Sequence, residues 1–222
     1  MPSYRPTCDT WILARPKVKY YGAYPNGFLH RARELLGVGI QDEILHVCSG
    51  KIREYPLRGF GPKDKTVDLD PDLKPDFVMD VKKDLPKKSG GWKGILLDPP
   101  YSTEDAEHYK VGAKAYPQPN KLLKLALERV EVGRRVGFLH YMLPRPPALQ
   151  KPGTKNRIKA VRTMYHGQER ICQVRFVACI SVIVGFGNRV RCFSVFEVEM
   201  PPEFTEKKIA VPQLIRPDVW SL

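Results

Sequence analysis

Gly94-Ile95-Leu96-Leu97-Asp98-Pro99-Pro100-Tyr101 is the stretch on which the reading of this chain turns. Ile95, Leu96 and Leu97 run on without an alternating polar position, the pattern of a short strand covered on both faces. Asp98-Pro99-Pro100 stops it abruptly. Each proline fixes its own φ, lacks an N–H and pushes the residue before it toward extended backbone. A rigid corner follows, with a carboxylate held at the strand's end.

Upstream, Glu43–Val47 is a short apolar run ending in Cys48-Ser49-Gly50, which reads as a buried strand running into a turn. Thr66–Leu69 and Asp76–Met79 are two more short strand candidates. Asp68, Asp80 and Asp98 thus close three successive strands. Before them, Phe28, Leu29, Ala32, Leu35 and Leu36 fall at helical spacing, with Gly37 as the stop. Downstream, Leu122, Leu123, Leu125, Ala126 and Val130 mark a helix over Lys121–Val132, and Arg135–Tyr141 a further strand. Asn156–His166 fits a helix slightly better than a strand. Ile171–Phe186 and Val190–Val198 read as two long strands in an antiparallel hairpin turning at Gly185–Asn188. Short apolar strands alternating with helices and ending in polar loops predict an α/β sheet, with ligands at the carboxyl ends of its strands.

The chain has 222 residues, 37 Lys plus Arg against 24 Asp plus Glu, and a net charge of +13. Its hydrophobic fraction of 42% is enough to build a core and excludes wholesale disorder. No run approaches the roughly 20 apolar residues of a membrane span. Residues 1–20 form an N-terminal arm without the apolar stretch of a secretion signal, so a cytoplasmic protein is expected. Cys8, Cys48, Cys172, Cys179 and Cys192 include no C-x-x-C pair; reduced, mostly buried thiols are expected, and no metal. Cations gather at Lys82, Lys83, Lys87, Lys88 and Lys93, at Arg134 and Arg135, and from Lys151 to Arg162. Such an excess goes beyond what solubility asks and points to nucleic acid as the partner.

Asp98-Pro99-Pro100-Tyr101 resembles the catalytic motif of amino-methyltransferases, above all the DNA adenine-N6 and cytosine-N4 enzymes. The chemistry supports the resemblance. An exocyclic amine on a base is a poor nucleophile because its lone pair is delocalised. A carboxylate and a backbone carbonyl aimed at its hydrogens stabilise the charge that develops as it attacks. Tyr101 offers a flat face for an extruded base. The flanking segments follow the order of that family. Ile44–Gly50 is similar to the first cofactor motif, implying contacts to S-adenosylmethionine from His46, Cys48, Ser49 and Gly50. Asp68 then takes the ribose-binding position. Asp80 and Val81, in Phe77-Val78-Met79-Asp80-Val81, take the adenine-binding one. Tyr24 and Pro25 lie in a segment resembling the one beside the cofactor's methionine end. Two departures stand out: His46 sits where the family often has an acid, and no second glycine follows Gly50.

The resemblance implies one Rossmann-like class I methyltransferase domain over residues 1–222. It would be built on a mostly parallel seven-stranded sheet with a C-terminal antiparallel hairpin. Residues 102–120 would be a lid or substrate loop and 145–162 a basic crossover. The implied reaction carries a methyl group from S-adenosylmethionine to a nucleobase amine, with adenine N6 in DNA favoured. A protein partner or homodimer could supply target recognition, since little chain is left over for it. Alternatives are an RNA base methyltransferase, a protein-glutamine methyltransferase, and a catalytically silent nucleic-acid-binding fold.

Overall fold

The structure is a computed structural model that describes residues 5–16, 23–53, 59–109, 116–150, 153, 155–185 and 190–200. Most of the expected turn at 185–188 lies outside them, as do Lys110, Lys114 and Lys151. The strands are β1 (Thr7–Leu13), β2 (Ile44–Val47), β3 (Lys65–Asp68), β4 (Phe77–Val78), β5 (Trp92–Leu97), β6 (Val130–His140), β7 (Ala148–Gln150), β8 (Arg157–Tyr165), β9 (Gln168–Val184) and β10 (Arg191–Val198). The α-helices are α1 (Phe28–Leu36), α2 (Thr103–His108) and α3 (Pro119–Leu127).

All strands join one ten-stranded sheet in the order β4-β3-β2-β5-β6-β10-β9-β8-β7, with β1 paired to β9. The first five run parallel to one another, and β10 lies antiparallel between β6 and β9. Those seven are the Rossmann-like, mostly parallel sheet with an antiparallel C-terminal hairpin that the sequence leads one to expect. Seven strands is an undercount, for three more extend the sheet beyond β9. Gln168–Tyr165 through Gln173–Ala160 pair β8 to β9, and Thr7–Ala178 through Leu13–Val184 pair β1 to it.

β8 overturns the helical expectation for Asn156–His166. Its Val161 and Thr163 alternate inward, and β9 offers the β8 backbone a continuous ladder, which a helix there would leave unpaired. β1 is likewise a strand and not a loose arm. The helix expected to run to Val132 ends at Leu127, because β6 begins at Val130 and pairs with Trp92. Within 102–120, Ser102 caps the short helix α2 by accepting from the Asp105 N–H at 3.1 Å, so the stretch is not all loop. The 145–162 crossover likewise contains β7 and the start of β8.

Alternation along the central strands divides the core into two halves. Leu45 and Val47 of β2, with Ile95 and Leu97 of β5, pack on Leu122, Leu123, Ala126 and Leu127 of α3. Ile44 and Leu96 face the other way, onto Phe28, Leu29, Ala32 and Leu36 of α1 and onto Phe193 of β10. Each such fully buried Leu, Ile, Val or Phe side chain contributes about 1.5–3 kcal/mol. Gly37 ends α1 with φ 69° and donates its N–H to Glu34. Gly137 of β6 has a tighter constraint: a Cβ there would lie 2.7 Å from the Phe193 ring.

On the α1 side a buried carboxylate organises the polar contacts. Asp64 accepts from Arg33 at 2.7 Å, from the Gly61 N–H at 2.7 Å and from the Ile44 N–H at 3.1 Å, and lies 3.0 Å from His46 Nε2. Burial pushes the Asp64 carboxyl up, but His46, Gly61 and Arg33 outweigh it and hold the group below its ordinary value.

Candidate active site at the strand ends

Backbone bonds carry the parallel pairing one step past the strands and set the floor of the site. The Asp98 N–H donates to Val47 at 3.2 Å, the Cys48 N–H to Val67 at 3.0 Å and the Met79 N–H to Asp68 at 3.0 Å. Four strand ends are thereby stitched side by side. The Cys48 thiol lies among the carboxylates they carry. Burial first, and then the charges of Asp68, Asp98 and Asp80, push it well above its ordinary value. The three aspartates picked out in the sequence are therefore brought together around one loop.

The Cys48-Ser49-Gly50 turn has an unusual backbone. Cys48 takes φ 57° and Gly50 φ 52°, so a non-glycine residue sits in the left-handed region at the point where the chain leaves β2. Gly50 turns its N–H onto Asp68 Oδ2 at 2.9 Å, while Asp68 Oδ1 accepts from Leu69 at 2.8 Å and Asp70 at 3.3 Å. Desolvation holds the Asp68 carboxyl above its ordinary value despite those three donors. A carboxylate offers about four lone-pair sites. Asp68 thus has room for one further donor, not the two hydroxyls of a bidentate ribose contact.

Asp98 closes the cluster on the β5 side. Its Oδ1 accepts from the Tyr101 hydroxyl at 2.7 Å, and that hydroxyl in turn accepts from Arg191 Nη1 at 3.1 Å. Burial raises the Asp98 carboxyl to about 6, with Arg191 and Tyr101 pulling the other way. Pro99 is buried behind the corner and Pro100 half-buried. The Tyr101 ring lies 4.4 Å from Tyr141 and meets His140 edge-on at 5.3 Å. His140 is buried and accepts the Met142 N–H on Nδ1, which leaves its proton on Nε2, where it has no partner among the described residues. Desolvation lowers its pKa to about 4, so the ring is neutral.

Other residues singled out in the sequence fall in different places. Asp80 is half-buried, accepts the Lys82 N–H at 3.1 Å and lies 3.8 Å from the Lys82 ammonium. Val81 belongs to the core beside α3. Ser49 is buried, its carbonyl taken by the Ile52 N–H. Tyr24 stacks on Phe28 at 5.2 Å within the α1 core, and Pro25 is buried next to it. His46 is not at the cluster: it points to the α1 side and is held by Asp64. Arg191 is the residue the sequence reading missed. It meets the corner only through the tertiary fold, and nothing local to the start of β10 marks it.

Lys82, which lies beside Asp80, lines a cavity of about 110 Å³ together with Tyr116, Pro117, Gln118, Lys121 and Leu122. The Arg145 N–H donates to Asn120 at 2.8 Å and seats the 141–147 loop beside the start of α3. Tyr141, Met142 and Leu143 on that loop are exposed. Many of the clustered lysines are paired: Lys88 with Glu43, Lys93 with Glu131, Lys87 with Asp84. Lys83, Lys121, Arg145, Lys155 and Lys159 have no carboxylate partner among the described residues. No disulfide links the cysteines, and Cys179 and Cys192 lie Sγ to Sγ at 3.3 Å; Cys172 is buried, but Cys8 is exposed and the others half-buried, fewer buried than expected.

No protein-family model and no curated protein sequence matches the chain. Solved structures do resemble it. TrmN from Thermus thermophilus is 15% identical over 80% of this chain and 50% of its own, with a TM-score of 0.45. This chain thus spans half the length of TrmN. A SAM-dependent O-methyltransferase from Thermotoga maritima is 12% identical over 83% of this chain and 69% of its own, with a TM-score of 0.45. The glycopeptide N-methyltransferase MtfA with sinefungin is 11% identical over 85% of this chain and 100% of its own, with a TM-score of 0.43. At such identities a shared sheet says nothing of shared substrates.

Proposed function

We propose that this chain is a single-domain methyltransferase that moves a methyl group from S-adenosylmethionine to an exocyclic amine of a nucleobase, with adenine N6 in DNA as the favoured acceptor. The observation that carries this reading is the Asp98 corner: a carboxylate fixed by two prolines, with Oδ1 held by Tyr101 and no donor on Oδ2 among the described residues.

The chemistry of the donor set fits the cofactor. Three carboxylates at the strand ends repel a phosphate-bearing dinucleotide, and no helix begins between Gly50 and Arg53 to offset them. The same charges attract a sulfonium cation, and Asp68 keeps one acceptor site for a ribose hydroxyl. Asp68, Asp80 and the Cys48–Gly50 turn would hold it, and when bound it supplies an electrophilic methyl group. Asp98 Oδ2 accepts an N–H of the target amine and stabilises the positive charge that grows on nitrogen. Tyr101 and Tyr141 offer aromatic faces to the base. Lys121 and Arg145, at the start of α3 and on the loop beside it, would contact a phosphate backbone.

The test offers labelled S-adenosylmethionine with DNA and with RNA, followed by nucleoside mass spectrometry. Methyl-adenine in DNA is expected. Label in RNA alone would replace the DNA assignment, and no label in either would overturn the reading. Asp98→Ala should abolish transfer while cofactor affinity by calorimetry stays within a few-fold. Asp68→Ala should weaken that affinity by about 10- to 100-fold, the worth of one hydrogen bond to a charged group.

A further inference from the structure

A cation beside the acceptor carboxylate is unexpected in a site whose target nitrogen gains positive charge. Arg191 is nevertheless there, at the first position of β10, with Nη1 donating to the Tyr101 hydroxyl at 3.1 Å. Its placement shows how the conflict is resolved. The guanidinium does not bond to Asp98 directly; one hydroxyl stands between them, and that hydroxyl donates to Oδ1 at 2.7 Å. A direct bidentate pair would occupy both carboxylate oxygens. The bridged arrangement takes one oxygen and leaves the other, while the guanidinium polarises the tyrosine O–H into a stronger donor.

We propose that Arg191 is a positioning residue: acting through the Tyr101 hydroxyl, it ties Asp98 Oδ1 to the protein and sustains the carboxylate's charge, leaving Oδ2 as the single acceptor for the target amine. The role of Oδ2 rests on the methyl-transfer reading; the hold of Arg191 on the carboxylate does not. The groups that face Asp98 account for the need. On one side the Cys48 thiol, itself crowded by Asp68 and Asp80, offers no positive charge. On the other, His140 is neutral and presents its ring to Tyr101. Tyr141 lies against Tyr101 and interacts with Arg191. Arg191 is the cation that acts on this carboxyl, against the burial that pushes it up to about 6.

The experiment compares the wild type with Arg191→Gln, Arg191→Lys and Tyr101→Phe. The Asp98 carboxyl is titrated by carbon-detected NMR, assigned by its absence in Asp98→Asn, and the methyl-transfer rate is followed against pH. Arg191→Gln is expected to move the carboxyl titration and the acid limb of the rate profile upward by about one pH unit. Activity near pH 6 should fall about fivefold, approaching about tenfold at lower pH, and recover in alkali. Arg191→Lys should restore most of the wild-type profile, and Tyr101→Phe should shift it in the same direction as Arg191→Gln. An unmoved carboxyl titration in both Arg191→Gln and Tyr101→Phe overturns the proposal, whatever the activity. So does a loss of rate that is equal at every pH, which would make Arg191 a mere strut. Should Arg191→Gln fail to fold, Tyr101→Phe and Arg191→Lys carry the same comparison. If the titration moves as expected but no base is methylated, the hold of Arg191 stands and the reading of the reaction fails.

Discussion

Asp98 is a charge kept where water would normally be needed, and the fold is less stable for it. Burial lifts its carboxyl from 3.8 to about 6, so the folded state prefers the protonated form. The sign follows from linkage: the stability is intact below about pH 4 and is lost as pH rises through 6. Asp98→Asn removes the ionisation while keeping the shape. At pH 8 the variant should be more stable than the wild type by on the order of 2 kcal/mol, and at pH 3.5 the two should be equal. Denaturant unfolding at both pH values checks this. A wild type as stable as the variant at pH 8 would mean that the carboxylate is well hydrated. Cys48 adds a second local cost, a non-glycine residue at φ 57° in the turn beside it. Both burdens fall within one loop cluster, which is where a functional site departs from what stability alone would select.

At the scale of the elements, close packing of β6 on β10 fixes the wall behind that cluster. Gly137 allows the Phe193 ring to lie directly on the β6 backbone, and Phe193 in turn contacts Phe28 of α1 and Trp11 of β1. Gly137→Ala should cost about 1–3 kcal/mol, since the ring is fully buried and has no room to retreat. Thermal unfolding would measure it, and a change under 0.5 kcal/mol would show the ring to be mobile. What the sequence disclosed at this scale was local. The diproline stop of β5, the Gly37 cap and the aspartates closing β3 and β5 depend on neighbours in the chain. β8 did not yield to the same reading: Ile158, Val161, Met164 and Tyr165 suit a helix by spacing, and Val161, Thr163 and Tyr165 suit a strand. Only the partner strand β9 decides between them. His46 was misplaced for a related reason. β2 is buried on both faces, so its hydrophobicity does not tell which face each residue takes. Arg191 is a tertiary neighbour of Tyr101 and left no trace in either segment.

Across the whole molecule, the gross count of 37 Lys plus Arg overstates what is available to a polyanion. Lys87, Lys88, Lys93, Arg134 and Arg135 are matched with Asp84, Glu43, Glu131 and Glu197. Lys121 and Arg145, beside the start of α3, are unmatched among the described residues. Binding to a DNA duplex should therefore show a log–log salt slope between about −2 and −4, as each neutralised phosphate contributes roughly −0.9. Fluorescence anisotropy across a salt series measures it, and a slope near −10 would mean that the paired lysines are recruited as well. β9 has a consequence of another kind. Its first half is bordered by β8 and its second half by β1, and Thr7 lies opposite Ala178. β1 must therefore wait for β9, which is far later in the chain, before it can dock, and such distant parallel partners come together slowly. During that interval Trp11 and Leu13 lack the β9 and β10 side of their core, so β1 presents greasy, unpaired backbone until β9 is made.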